Sequence, residues 1–231
     1  MMGQSAPMIR LVLFDIDGTL ILTGGAGMKA FAQAFADEFD LPHATETMEF
    51  AGRTDRGLAY EVFRANQIEP TEANLQRFTK AYTQRLAQHL PADNTQPLPG
   101  VLELLDAIEA MPTPPVLGLL TGNLPLGAEL KLTHYHLWHR FEFGAFGDTT
   151  ENRNDIARSA LDNAREQFPN LNPSEILIIG DTPADIECAQ SIDARVLAVA
   201  TGNFTEAQLA EHHPTFLAPD LTSVPLNLFP T

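Results

Sequence analysis

Two carboxylates one residue apart, Asp15 and Asp17, end the stretch Leu-Val-Leu-Phe-Asp-Ile-Asp-Gly-Thr-Leu at residues 11–20. Alternation along an extended chain points their side chains in different directions, so the two can take different chemical roles. Asp and Gly also suit a plain turn. Further along, Val116–Leu120 runs into Thr121-Gly122-Asn123, and Glu175–Ile179 runs into Gly180-Asp181-Thr182. Asp185 follows Asp181 by one helical turn. Brought together, Asp15, Asp17, Asp181 and Asp185 would repel one another without a cation. An all-oxygen set favours a hard divalent ion, Mg²⁺ above zinc.

The elements that must position these groups are legible in the apolar pattern. Continuous apolar runs ending in reactive polar residues predict strands buried on both faces of a parallel sheet. Strands are expected at about 9–14, 116–120, 141–146, 175–179 and 195–200. Helices are expected between them, at 101–108, after Pro125, at 154–168, after Pro183 and at 205–211. Ligands bind outside the carboxyl ends of such strands. The fold class expected is therefore α/β, a Rossmann-like doubly wound parallel sheet.

Residues 28–90 break the alternation. Phe31, Ala34, Phe35 and Phe39 recur at helical spacing, as do Leu58, Val62 and Phe63, then Leu75, Phe78, Tyr82 and Leu86. This predicts an all-helical unit inserted after the first strand. The expected division is residues 1–22 and 96–231 for the sheet-bearing unit and 23–95 for the insert. Gly24, Gly25 and Gly27 would serve as a hinge. They lack Walker spacing, and no Gly-Lys-Ser/Thr follows them. Pro91–Pro99, with three prolines, would form the second connection, and residues 1–8 a disordered start.

The totals narrow the function classes. A chain of 231 residues with net charge −16 repels nucleic acid and anionic membranes. A phosphate site in such a field needs local positive charge or a metal. One cysteine, Cys188, permits no disulfide within the chain. No stretch approaches the roughly 20 apolar residues of a membrane span. A cytoplasmic location is expected.

Asp-Ile-Asp-Gly-Thr-Leu (15–20), Leu-Leu-Thr-Gly-Asn (119–123) and Gly-Asp-Thr-Pro-Ala-Asp (180–185) resemble motifs I, II and IV of the haloacid dehalogenase-like hydrolases. The helical insert resembles the cap of subfamily I, with the phosphoglycolate phosphatase-type enzymes as the most similar branch. That resemblance implies a Mg²⁺-dependent phosphatase acting on a small phosphorylated metabolite. Asp15 would be the nucleophile and Asp17 the general acid and base. Thr121, with the backbone amides of Gly122 and Asn123, would hold phosphoryl oxygens. Asp15, the Asp17 carbonyl and Asp181 would hold the metal, with Asp185 orienting a metal-bound water or completing the shell. Motif III usually carries a lysine. Here Glu151-Asn152-Arg153-Asn154-Asp155 departs from it, leaving Arg153 as the match and Arg158 as the alternative. Dehalogenases of this superfamily lack an Asp at the position of Asp17, so its presence favours phosphoryl transfer.

Arg53 and Thr54, in a polar Gly-bearing loop of the insert, are expected to set substrate specificity, Arg53 by meeting a substrate carboxylate or hydroxyl. A solvated loop arginine is the other reading. His134, His136, His139, His212 and His213 lack the flanking carboxylates or cysteines of a zinc site. Cys188 reads as a small core residue and Trp138 as packing. A phosphomutase using the same residues is the alternative enzyme, and a binding protein on the same fold the alternative class. The chain is expected to be a monomer or a homodimer.

Overall fold

The structure, a computed structural model, describes residues 8–91, 96–225 and 228–229. The expected disordered start lies outside them except for Met8, and so do residues 92–95 of the expected connection. Six strands form one sheet: β1 (Leu11–Phe14), β2 (Val116–Leu120), β3 (Phe143–Ala145), β4 (Ile176–Gly180), β5 (Arg195–Val199) and β6 (Phe216–Ala218). All pair in parallel, in the order β3-β2-β1-β4-β5-β6. This is the doubly wound order, and the chain reverses its direction of travel between β1 and β4. Strand β1 is central, with Leu11 opposite Val116 on one side and Ile176 on the other. Strand β6 is not among the strands expected from the sequence, because Phe-Leu-Ala is too short to show a period.

Side chains of β1 alternate between two cores. Val12 and Phe14 pack with Val101, Leu104 and Leu105 of α4 (Val101–Glu109) and Ala128 and Leu132 of α5 (Pro125–His134). Leu11 and Leu13 pack with Ile156 and Ala160 of α6 (Arg153–Gln167) and Ile186 and Ala189 of α7 (Pro183–Ser191). Helices thus cover both faces, which is why the strands read as unbroken apolar runs. Trp138 is partly buried against the first of these cores and makes packing contacts, as expected.

Helices α1 (Ala26–Phe39), α2 (Asp55–Ala65) and α3 (Glu72–His89) follow β1 and build a third core. It is aromatic. Phe31 meets Phe78 at 4.6 Å between ring centroids, and Phe78 stacks on Tyr82 at 5.7 Å. Leu124 and Leu130 join this core from the α5 region, so the helical insert rests on the sheet-bearing part of the chain. Thr54 caps α2 by accepting a hydrogen bond from the Gly57 N–H at 3.0 Å, and Thr71 caps α3 from Asn74 at 3.2 Å. Helix α8 (Glu206–Ala210) precedes β6.

Candidate active site

Strands β1 and β4 both end at the reversal point, and their carboxylates meet there. Asp15, Asp181 and Asp185 are buried, and one oxygen of each lies within 4.8 Å of the others. Asp15 and Asp181 leave the ends of β1 and β4. Asp185 comes from the first turn of α7, where its Oδ2 accepts from the Thr182 N–H at 3.0 Å and the Thr182 hydroxyl at 2.8 Å. Thr19 donates to Asp181 at 3.0 Å. Gly18, at φ +85°, turns the chain away, and a Cβ there would stand 2.4 Å from Asp181 Oδ2. Only glycine allows that approach.

Arg153, at the start of α6, is the cation of this cluster. Its Nη2 lies 3.1 Å from Asp15 Oδ1 and also bonds Asp185. Arg158 is exposed and pairs with Asp155 on the same helix, away from the carboxylates. Burial, and then the neighbouring Asp185, push the Asp15 carboxyl up, against the pull of Arg153. Burial and then Asp185 and Asp15 push Asp181 up as well. Burial works against the Arg153 charge, but Asp15 and Asp185 hold that charge firmly in place. One guanidinium facing three buried carboxylates leaves negative charge unmatched. Its Nε has no hydrogen-bond partner among the described residues. An all-oxygen donor set with surplus negative charge fits a hard divalent cation.

Asp17 stands apart from the three. Its half-buried carboxylate accepts from Lys131 Nζ at 2.6 Å and Asn123 Nδ2 at 2.9 Å. Lys131 also donates to Asn123 Oδ1 at 2.7 Å. Thr121 is fully buried, and its hydroxyl accepts from Asn123 Nδ2 at 2.8 Å. The triplet 121–123 therefore threads between Asp17 and the end of β2. Lys131 was not expected at the site. Its signal is a lysine in phase with Ala128 and Leu132 on the buried face of α5. The Thr201-Gly202-Asn203 triplet also returns to the site. Thr201 donates to the Gly18 carbonyl, and Gly202 and Asn203 line the cavity.

The insert closes over these groups, leaving a cavity of about 400 Å³. The Asp55 N–H donates to the Gly122 carbonyl at 2.8 Å, and the Asp55 carboxylate accepts from the Leu124 N–H at 2.9 Å. Thr54 donates to the Glu151 carbonyl at 3.2 Å, so the structure gives it a capping and docking position. Arg53 lines the cavity, but its guanidinium bonds Glu61 and the Glu49 carbonyl instead of turning toward Asp15, Asp181 and Asp185. The reason is proximity: Glu61 lies two turns along α2 and offers a full charge. Cys188 is buried and its thiol is pushed up to about 12 by that burial, which leaves it inert at neutral pH. Among the described residues, no histidine belongs to a metal-competent group, and His134 bonds the Pro91 carbonyl at 2.7 Å. Among the described residues, no helix is long and apolar enough to cross a membrane.

A model of the haloacid dehalogenase-like hydrolase family matches residues 12–199, which include every carboxylate described above. The chain belongs to the haloacid dehalogenase-like hydrolase family. It is similar to a phosphoglycolate phosphatase from Agrobacterium fabrum, at 26% identity over 97% of this chain and 94% of that one. Its fold is shared with a haloacid dehalogenase-like family hydrolase from Streptococcus pneumoniae, with a TM-score of 0.66 at 22% identity, covering 96% of this chain and 98% of that one. It is also shared with CbbY from Rhodobacter sphaeroides, solved in complex with phosphate, with a TM-score of 0.69 at 18% identity, covering 94% of this chain and 96% of that one. The chain is thus an enzyme of a hydrolase family, with a phosphatase among its relatives.

Proposed function

We propose that this hydrolase is a Mg²⁺-dependent phosphatase of small phosphate monoesters that works through a phosphorylated Asp15, with residues 23–95 serving as its cap. The observation that carries the reading is the separation of two carboxylates into two environments. Asp15 is buried beside Arg153, 3.1 Å away, within the three-carboxylate cluster. Asp17 is turned toward the cavity on the Lys131–Asn123 pair.

In this reading Asp15 Oδ attacks phosphorus, and the bond from phosphorus to the leaving oxygen breaks. Asp17 delivers a proton to that oxygen, then takes one from the water that hydrolyses the acyl phosphate. Thr121 and the amides of Gly122 and Asn123 hold phosphoryl oxygens, and Arg153 opposes their charge. Asp15, Asp181 and the Asp17 carbonyl would hold Mg²⁺, with Asp185 supporting them. The ion supplies neutralisation of the charge that otherwise repels a phosphoryl group. Thr19 keeps Asp181 oriented throughout. The cap excludes water from the leaving-group side, as lids do.

The test is turnover of phosphate monoesters with Mg²⁺ by the wild type and by Asp15→Asn. Wild-type turnover with none in the variant, at an unchanged cooperative melt, is the expected result. Sustained multiple turnover by Asp15→Asn would reject the covalent route.

A further inference from the structure

A buried tyrosine hydroxyl ordinarily has a hydrogen-bond partner. Of the three tyrosines in the chain, two do. The Tyr60 hydroxyl accepts from Arg56 at 2.8 Å, and the Tyr135 hydroxyl donates to the Leu22 carbonyl at 2.7 Å. Tyr82 is 1% exposed, yet its hydroxyl bonds no group among the described residues. It is not sealed inside the cap either. Among the described residues, Arg153 Nε is the only fully enclosed side-chain nitrogen or oxygen without a partner. The Tyr82 hydroxyl therefore opens on the cavity of about 400 Å³ that this residue lines.

Its position is fixed by packing. Tyr82 belongs to α3, and its ring lies 6.0 Å from that of Phe31 and 5.7 Å from that of Phe78, between centroids. On α5, a Cβ on Gly127 would stand 3.1 Å from Tyr82 Cε1. A Cβ on Gly27 would stand 3.4 Å from Lys131 Nζ and 3.9 Å from the Tyr82 hydroxyl, so the two groups face one point of the cavity wall. Lys131 Nζ in turn bonds Asp17 at 2.6 Å. The hydroxyl thus stands on the side of the cavity where Asp17 meets the leaving oxygen. Burial, and then Asp55 and Asp17, push the phenol well above its ordinary range, so Oη keeps its proton and can donate it to a hydrogen bond.

We infer that Tyr82 determines specificity: its hydroxyl donates a hydrogen bond to a second oxygen carried by the leaving alcohol, close to the ester oxygen. The substrate is then a phosphate monoester of an oxygenated alcohol, not of a plain alkyl one. This inference rests on the phosphatase reading and narrows it. A hydroxyl or a carboxylate oxygen can accept this bond, and both share the chemistry that the site reads. A leaving group without such an oxygen displaces water from Oη and returns nothing, which a closed cavity penalises. Few polar groups placed in a mostly apolar pocket ordinarily fix a ligand in this way.

Four phosphate monoesters, paired by carbon skeleton, make the test with Mg²⁺ at pH 7.5: glycerol 1-phosphate against propyl phosphate, and 2-phosphoglycolate against ethyl phosphate. In at least one pair the wild type should favour the oxygenated member by about 10- to 100-fold in kcat/KM, the discrimination one hydrogen bond provides when its loss strands a buried donor. Tyr82→Phe keeps the ring in the cap core and should narrow that ratio by about 10-fold or more, through the oxygenated member. The pair that narrows names the acceptor as hydroxyl or carboxylate. The melting temperature of Tyr82→Phe should not fall, because the hydroxyl has no partner in the fold to lose. A fall of several degrees would show that the hydroxyl is bonded within the protein, and overturns the inference. So does a ratio that Tyr82→Phe leaves unchanged, whether the variant slows both members alike or neither. Equal turnover within both pairs by the wild type overturns the inference and leaves the phosphatase reading standing. No turnover of any of the four by the wild type overturns this inference and the phosphatase reading together.

Discussion

Burial pushes the Asp55 carboxyl up to about 6 from its ordinary 3.8, although Lys131 and the Leu124 N–H pull the other way. The folded state therefore holds a proton that the unfolded chain releases between about pH 4 and pH 6. The stability this proton contributes is complete below about pH 4 and is lost as pH rises through about 6. Asp55→Asn has no such proton. The wild type should lose stability relative to Asp55→Asn between pH 4 and 7, with the difference level above that, as denaturant unfolding at several pH values will show. A difference that stays flat from pH 4 to 7 would mean that Asp55 is solvated. Asp15, Asp17 and Asp181 were legible in the sequence because each ends an apolar run. Lys131 was not, because one lysine in a helix ordinarily points to solvent, and only the cap packed over α5 buries it.

At the scale of elements, the cap and the sheet meet through one close backbone approach. A Cβ on Gly122 would stand 2.0 Å from the Arg53 carbonyl oxygen. Gly122 itself is not at positive φ, so alanine suits the sheet-bearing part alone and collides only with the docked cap. Around this contact, Arg56 donates to the Asp148 carbonyl at 2.7 Å and Arg64 forks onto both oxygens of Glu151. Gly122→Ala should lower kcat/KM by about 10- to 100-fold, roughly 1.4–2.7 kcal/mol of lost transition-state binding. The melting temperature should change little, because the three hydrophobic cores are untouched. A large fall in melting temperature with the same loss of activity would place the damage in the fold instead of the docking. The helical insert was visible in its aromatic period. The loop that docks it was visible only as polar, since Thr54 and Asp55 show no period and find their partners some 70 to 100 residues away.

At the scale of the molecule, charge governs stability. The chain carries a net −16, and of three clustered buried carboxylates the Arg153 guanidinium pairs with two, Asp15 and Asp185. A divalent cation bound only by the folded state adds stability as its concentration rises, about 2.7 kcal/mol at a hundredfold excess over Kd. For a chain of this length that is roughly 5–10 °C in Tm. Mg²⁺ added to chelator-treated protein should raise Tm by several degrees, and Asp181→Asn should abolish most of the rise. Equal shifts in both proteins would assign the effect to general screening of the acidic surface.

By itself the sequence determined the sheet type, the helical insert and the three strand ends that bear polar residues. Those features are local: a strand buried on both faces must be apolar throughout, a packed helix must repeat every three to four residues, and the chain must turn where each strand stops. Tertiary structure alone decided which charges neutralise one another. It chose Arg153 over Arg158 for Asp15, bound Lys131 to Asp17 and turned Arg53 to Glu61. It also set the Asp55 carboxylate on the Leu124 N–H, close to Lys131. Electrostatic pairing depends on distances of a few ångströms between groups far apart in the chain, and no spacing in the sequence encodes those distances.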